Sequence, residues 1–583
     1  MKFKNKNTPF YTPCQEIPLN KMDKWRYLDM TTRARLKSAS WRVFVVGFVF
    51  LGLFCVILGR LFQLTVMDYH GRDYTKKAIS SSYALKRYNI LDRNGVFLAS
   101  SVPTTDLSVN PALVKGDTKE IAKNIANALN DVDEKDVYSA ITSSAGFKYI
   151  KRKLSPAERQ NINWLGYYFL SEFPGEYRTY PHRNLVSHLL GGVDIDNVGI
   201  SGIEKAYDQQ LIHENVQLSI DVSIQEMVHN ALTQGIEKFK AQAGLAIVMD
   251  VNNGEVLASV SLPDYNPNFA PKGKTGKERF NQATLGTYEF GSIFKLFNTA
   301  LGLESKTITT ASIFDTSEPL KIGRKRITDY RGQERPLTVP EILIHSSNIG
   351  SAQIGLKIGQ EKQKEFLGRF GFYEKLPIPL PERGTTQYNK KEKWADMESA
   401  TISYGYGISV TPLHLIAGVA SLANGGLYRV PTFIKNGNKD QVETRVLSES
   451  VSKTMRHLMW GVVNYELPEN SPVAPYAVGG KTGSANLIEN GRYVEGKLRT
   501  TFVGMFPMND PKYIVLVSYT DPKKVKATHM FNAAGWNAKA TGLQIIGEIA
   551  PYLGVEPIES WEQPNYILNA FERSREAKKG KKR

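Results

Sequence analysis

Apolar and polar positions change character several times along the chain. Residues 1–40 are polar and basic, with Lys2, Lys4, Lys6, Lys21, Lys24, Arg26, Arg33, Arg35 and Lys37 against Glu16, Asp23 and Asp29. That composition predicts a mostly disordered tail. From Val43 to Gly59 no charge interrupts the apolar run, which continues past Arg60 through Leu61, Phe62 and Leu64. At a helical rise such a run spans about 26 Å, which predicts a membrane helix over 43–66. The basic lead is too long for a cleaved signal peptide, and no Ala-x-Ala-like site follows the run. The positive-inside rule puts the tail in the cytoplasm and the chain after about Met67 on the far side.

Beyond the helix, Asp92-Arg93-Asn94-Gly95 is a turn string between two strand-like runs and predicts a hairpin. Residues 111–160 read as short helices with charged faces, and Arg178-Thr179-Tyr180-Pro181 and Gly202-Ile203-Glu204 fall later in the same mixed segment. This segment has no obvious catalytic group, and its charges are expected to form a solvated face. Val216 to Asp221 predicts a strand, followed by a helix from about Ser223. Ala243–Asp250 and Glu255–Leu262 are β-rich runs joined by Asn252-Asn253-Gly254, a hairpin signal. Strands and helices then alternate to about Leu553, and a basic cluster from Phe571, ending in Lys578, Lys579, Lys581, Lys582 and Arg583, predicts a second disordered tail.

Composition narrows the function classes. The 583 residues exceed one ordinary core and suggest three or four units. A net charge of +17 would suit nucleic acid, an anionic membrane surface or an acidic polymer. No nucleic-acid motif is present and the charge gathers towards the two ends, which argues against nucleic acid. Cys14 and Cys55 are the only cysteines, so no disulfide framework follows them, and nine scattered histidines without His-Glu-x-x-His give no expectation of a metal. No cofactor motif is present either.

The chemistry concentrates at Tyr288-Glu289-Phe290-Gly291-Ser292-Ile293-Phe294-Lys295, a glycine-marked turn running into an apolar helix over Leu296–Leu303. With a helix starting near Ser292, Lys295 lies one turn on and on the same face. An amine there can take the proton of a hydroxyl nucleophile while helix amides face the developing charge. A Ser-x-x-Lys string alone is weak, since about two are expected in such a chain from average composition. The second is Ser450-Val451-Ser452-Lys453. Order supplies the missing weight: Ser292-Ile293-Phe294-Lys295 is followed by Ser346-Ser347-Asn348 and then by Lys481-Thr482-Gly483. The decoys, Lys274-Thr275-Gly276, Ser108-Val109-Asn110, Ser484-Ala485-Asn486 and Ser450–Lys453, are expected to be structural.

These strings together resemble the class B penicillin-binding proteins, and among them the division-specific type. Arg87 to Gly95, Arg178-Thr179-Tyr180-Pro181 with Gly202-Ile203-Glu204, Ser403 to Pro412 and Thr501-Phe502-Val503-Gly504 extend the likeness over most of the chain. Tyr88 stands where the family usually has glycine, and Phe290 where many members have proline. The resemblance implies an α/β (α+β) transpeptidase fold, mainly an antiparallel sheet flanked by helices, on an elongated mixed pedestal behind one transmembrane helix. The implied domains are 1–42 cytoplasmic tail, 43–66 anchor, 67–215 pedestal, 216–566 transpeptidase and 567–583 tail.

It further implies that Ser292 attacks a peptidoglycan stem peptide, with Lys295 as the neutral base and Lys481 as the cation that keeps it neutral. Ser346 would relay a proton, and Asn348 would bind Lys295 and the substrate amide. Lys481, Thr482, Gly483 and Ser484 would hold the substrate, and backbone N–H groups of Ser292 and Ser484 would form the oxyanion hole. Implied partners are stem peptides, β-lactams, a SEDS-family glycosyltransferase of the FtsW type and other membrane proteins of the division apparatus. About 150 residues between anchor and catalytic domain leave no room for a glycosyltransferase domain in the chain itself. The rival expectations are an elongation-specific relative, a β-lactamase or β-lactam sensor, and a catalytically silent scaffold.

Overall fold

The computed structural model describes residues 30–62, 87–269, 276–437, 443–468 and 470–580. It divides into two compact units, Met1–Ala84 and Leu85–Arg583. In the first, a helix α1 runs over Met30–Phe62. The basic tail expected to be mostly disordered over residues 1–40 is thus helical from Met30, because Ala34, Arg35, Leu36 and Lys37 are good helix formers that extend a helix already nucleated in the apolar run. Phe44, Phe48, Phe50, Phe54 and Ile57 of that run are exposed. Among the described residues no helix is long and apolar enough to cross a membrane, and residues 63–66 of the expected anchor lie outside the described residues.

The second unit opens with a mixed sheet. Strand β1 (Ile90–Leu91) pairs with the long β2 (Phe97–Val109) across the Asp92–Gly95 turn. β2 also pairs with β3 (Lys148–Leu154) and along its length with β4 (Leu170–Thr179). Helices α2 (Thr118–Ala128), α3 (Glu134–Ile141) and α4 (Pro156–Leu165) cover it, closing a small core around Leu107, Ile125 and Ile162. The short helices expected over 111–160 are present, with β3 running between the second and third. Strand β5 (Val216–Gln217) pairs parallel to β1, so the chain enters the larger domain through the pedestal's own sheet.

The larger domain is organised on a five-stranded antiparallel sheet. Its strands are β6 (Ala243–Asp250), β7 (Val256–Leu262), β8 (Gly479–Glu489), β9 (Arg492–Phe506) and β10 (Tyr513–Thr520), in the order β8-β9-β10-β6-β7. Period-two alternation sends Ala246, Val248, Val515, Val517 and Phe502 to one face, where α5 (Val222–Phe239) and α11 (Ala538–Tyr552) pack. Leu245, Ile247, Ile514, Leu516 and Val503 go to the other face, into a core shared with the helices of the catalytic side. Those helices are α6 (Phe294–Glu304), α7 (Val339–Ile344), α8 (Asn348–Ile358), α9 (Pro412–Ala423) and α10 (Glu449–Asn464). A sheet buried on both faces explains why its strands read as near-continuous apolar runs.

The charges of the pedestal helices, Lys119, Lys123, Glu134 and Lys135 among them, are exposed as expected, but Arg87, Arg178 and Glu204 are not part of that face and are buried. Glu204 accepts from Arg87 Nε at 2.6 Å and from Arg178 Nε at 2.7 Å, while Arg87 also reaches Asp208 at 2.7 Å. Glu204 and Asp208 together balance the two guanidinium charges taken out of water, which is why residues far apart in sequence share one knot. The C-terminal tail, expected to be disordered, forms helix α12 (Asn565–Gly580), while residues 581–583 lie outside the described residues. Ile567, Ala570, Phe571 and Ser574 follow helical spacing and are buried, Lys578 continues that face over the Tyr465 ring, and Arg573, Arg575 and Lys579 are exposed. Phe571 stacks on Trp460, and His345 Nε2 lies 2.7 Å from Ser574 Oγ.

The Asp92–Gly95 turn joins the two domains. Asp92 accepts from Asn94 N and Val96 N through one oxygen and from Val222 N through the other, and Asn94 Nδ2 donates to Asp221 at 3.0 Å. The pedestal knot has the larger expected effect on stability. Glu204→Ala should cost roughly 3–5 kcal/mol by stranding two buried guanidiniums. Chemical denaturation of the variant checks this, and a loss below about 1 kcal/mol would contradict it.

Candidate active site

Helix α6 is buried on every side, from Phe294 through Gly302, so a lysine on it can only project into the interior or a cleft. Gly291–Ile293 forms a 3₁₀ turn at its start, and the α-helix proper begins at Phe294 rather than at Ser292. Ser292 and Lys295 nevertheless share a face, with Lys295 Nζ 2.9 Å from Ser292 Oγ. Phe294 and Phe297 pack against Phe370 and Phe372, and Asn298 Nδ2 donates to Ser351 O on α8 at 2.9 Å. These contacts fix α6 against the helix that carries Asn348.

The nucleophile turn passes between two glycines that permit close backbone approach. A Cβ at Gly405 would stand 2.1 Å from Gly291 O, and one at Gly483 would stand 2.1 Å from Phe290 O. Gly483 belongs to β8, the edge strand of the sheet, where Lys481 pairs with Val503 and Thr482 with Phe502. The Lys-Thr-Gly strand therefore lies directly beside the serine, and its outer edge is the natural place for an extended chain to add.

Ser346 supplies the third side. Its φ of 56° places it in the left-handed region, uncommon for a residue with a side chain and here at the centre of the site. In that conformation both its oxygens face the lysines. Lys295 Nζ donates to Ser346 O at 2.5 Å and to Asn348 Oδ1 at 2.8 Å, and lies 3.2 Å from Ser346 Oγ. Lys481 Nζ donates to Ser346 Oγ at 3.0 Å and to Thr482 O at 3.2 Å. Ser484 Oγ accepts from Ala534 N at 3.1 Å, which anchors its side chain to the segment after β10.

Counting protons gives this geometry its chemical meaning. A neutral amine has two N–H donors and one lone pair. Ser346 O and Asn348 Oδ1 carry no proton, so they take both N–H groups and turn the lone pair to the hydroxyl of Ser292. Burial first, and the charge of Lys481 second, push the Lys295 amine well below its ordinary value, while Asp329 pulls the other way. Burial also pushes Lys481 down to about 7, with Lys539 adding to the effect. The serine is thus faced by a base, and a second lysine stands behind the hydroxyl that both amines share.

All eight residues expected at the site come together there. Of the decoys, Ser108–Asn110 ends β2, Ser450–Lys453 lies in α10, and Lys274 and Thr275 lie outside the described residues. Ser484-Ala485-Asn486 is not a separate element but the continuation of the Lys-Thr-Gly strand. Asp329 was missed. Its carboxylate accepts from Ser347 Oγ at 2.6 Å, from Asn348 N at 2.5 Å and from Ile349 N at 3.0 Å, and Asn348 Nδ2 donates to Thr328 O at 3.0 Å. A lone aspartate after a two-strand hairpin carries no motif, so only the fold shows that it seats the start of α8.

A fold of this kind with a Ser–Lys–Ser centre beside an edge strand defines a serine acyltransferase. The chain belongs to the class B penicillin-binding proteins: the model of the penicillin-binding protein transpeptidase domain matches residues 244–539, and that of the penicillin-binding protein dimerisation domain matches residues 84–238. It is 32% identical over 486 residues to the probable peptidoglycan D,D-transpeptidase FtsI of Caulobacter vibrioides, covering 81% of this chain and 82% of that one. It is 29% identical to the stage V sporulation protein D of Bacillus subtilis, covering 83% and 81%. Against the peptidoglycan D,D-transpeptidase FtsI of Escherichia coli K12 it is 28% identical, covering 91% and 96%. A crystal structure of a peptidoglycan synthetase from Bifidobacterium adolescentis shares the fold, with a TM-score of 0.64 at 21% identity over 82% of this chain and 97% of that one. The enzyme is a serine-type transpeptidase.

Asp329→Ala should slow acylation by a β-lactam by about 10–100-fold, because Asn348 loses the support that aims it at Lys295. Stopped-flow acylation kinetics, with a melting curve to confirm folding, check this; an unchanged rate in a folded variant would remove Asp329 from the site.

Proposed function

We propose that this enzyme cross-links peptidoglycan stem peptides during septal wall synthesis, through an acyl-enzyme on Ser292. The observation that carries the proposal is Lys295 Nζ at 2.9 Å from Ser292 Oγ, with the proton-free acceptors Ser346 O and Asn348 Oδ1 on its other sides. Ser292 Oγ bonds to the carbonyl carbon of the penultimate D-alanine and gives its proton to Lys295. The bond from that carbon to the terminal D-alanine nitrogen breaks, and the nitrogen receives a proton by way of Ser346 Oγ, which both lysines reach.

The remaining residues bind and orient. Lys481 and Thr482 meet the terminal carboxylate, and Ser484 continues the same strand with its hydroxyl already fixed by Ala534 N. The stem peptide adds beside β8, Asn348 meets its amide, and the backbone N–H groups of Ser292 and Ser484 receive the oxyanion. An acceptor amine from a second stem then attacks the ester carbon and releases Ser292 with its proton restored. Relatives named FtsI favour the division role, and the dimerisation-domain match over residues 84–238, which fills the stretch between the expected anchor and the transpeptidase domain, favours a separate glycosyltransferase partner of the SEDS family. The charge-free, exposed side of α1 supports the anchor over 43–66, with the catalytic domain outside the cytoplasm.

Ser292→Ala should abolish covalent uptake of a fluorescent β-lactam while the protein stays folded; retained labelling would move the nucleophile elsewhere. A fluorescent fusion of the full chain should collect at midcell, whereas lateral-wall distribution would favour the elongation role. A reporter joined after Arg583 should be exported, and its appearance in the cytoplasm would overturn the topology.

A further inference from the structure

The left-handed turn at Ser346 is the C-terminal cap of α7. Ser347 N donates to Ile342 O at 2.9 Å and Ser346 N to Leu343 O at 3.3 Å, the paired bonds that end a helix on a left-handed residue. Glycine usually takes that position, because it has no Cβ to strain. Here the position needs a hydroxyl within reach of both lysines, so the conformation has to be held by what surrounds it. Asp329 does this from one side, through Ser347 Oγ.

The other side is held by α12, which the mechanism above does not use. His345, the cap residue between α7 and Ser346, lies with Nε2 2.7 Å from Ser574 Oγ, and Ser574 is fully buried. The His345 ring meets Tyr465 edge to face at 5.7 Å between ring centres, and Tyr465 in turn packs on Phe571 of α12 at 5.3 Å. At the start of α7, Arg573 lies 3.4 Å from Glu341, a buried residue in the first turn. Burial, with Arg335 adding, pushes His345 down to about 4, so the ring stays neutral and its bond to Ser574 carries no charge. A helix of six residues, touched at both ends by one neighbouring helix, has its cap set by that neighbour.

We propose that His345 and Ser574 are positioning residues for Ser346: the hydrogen bond between them fixes the cap of α7 and so keeps the two oxygens of Ser346 on Lys295 and Lys481. This rests on Ser346 as the proton relay described above, and adds a dependence on the last helix of the chain. Ser574, 229 positions along the chain from His345, acts on proton delivery without touching substrate. The loss on breaking the bond falls on the chemical step, because Thr482 and Ser484 on β8 keep their places.

Stopped-flow acylation of the full chain by a chromogenic β-lactam, resolved into a dissociation constant for the first complex and a rate constant for acyl-enzyme formation, tests this. Ser574→Ala removes one oxygen and leaves a good helix former in α12; its rate constant should fall about tenfold with the dissociation constant unchanged. His345→Phe, which keeps a ring against Tyr465, should lose as much, and the double variant should be no slower than either single one. Melting curves confirm folding, and should His345→Phe not fold, Ser574→Ala decides alone. Ser346→Ala is the control for the relay. An unchanged rate constant there would strike the relay and this proposal together, whereas a slowed Ser346→Ala beside an unchanged Ser574→Ala would overturn this proposal alone. Losses that multiply in the double variant, or that fall on the dissociation constant, would also overturn it.

Discussion

Lys295 and Lys481 approach one hydroxyl from inside the protein, at 3.2 and 3.0 Å from Ser346 Oγ, and both are almost wholly enclosed. Two ammonium ions in such a place would repel strongly and would each lack the hydration they give up. One of them therefore sheds its proton, and the surroundings select Lys295. Its two N–H groups have fixed acceptors in Ser346 O and Asn348 Oδ1, and its third direction is occupied by the nucleophile. Everything else at the site follows from holding that arrangement still.

The scaffold can be read as the set of supports for it. The sheet places Lys481 on an edge strand, and its two buried faces fix that strand against α5 and α11 on one side and the catalytic helices on the other. Asp329 seats the first turn of α8, so that Asn348 presents its oxygen. Glycines at 405 and 483 let the nucleophile turn lie in backbone contact with its neighbours. Helix α12 reaches the same region from the C-terminal end, through Ser574 on His345, the residue before Ser346, and Arg573 at 3.4 Å from Glu341.

Much of the site was legible because its chemistry is local. Ser292 to Lys295, Ser346 to Asn348 and Lys481 to Ser484 each lie on one turn or strand, and their order along the chain separated them from the decoys. The Asn252-Asn253-Gly254 hairpin and the Asp92–Gly95 turn were legible for the same reason. What sequence did not reveal is made by distant partners. Arg87, Arg178 and Glu204 look like surface charges until the fold brings them within hydrogen-bond reach. Asp329 has no pattern of its own. In α12 the buried set Ile567, Ala570, Phe571 and Ser574 is sparse among lysines and arginines, so the basic composition hides its helical period.

To take the proton of Ser292, Lys295 has to be an uncharged amine in the resting enzyme. A side-chain ¹⁵N-lysine NMR titration of the folded protein, assigned with Lys295→Met, measures it directly. Lys295 is expected to lose its proton well below the ordinary lysine value of 10.5, and its titration to move upward when Lys481 is replaced by methionine. An ammonium signal for Lys295 that persists to about 10.5, or that ignores the loss of Lys481, would contradict it.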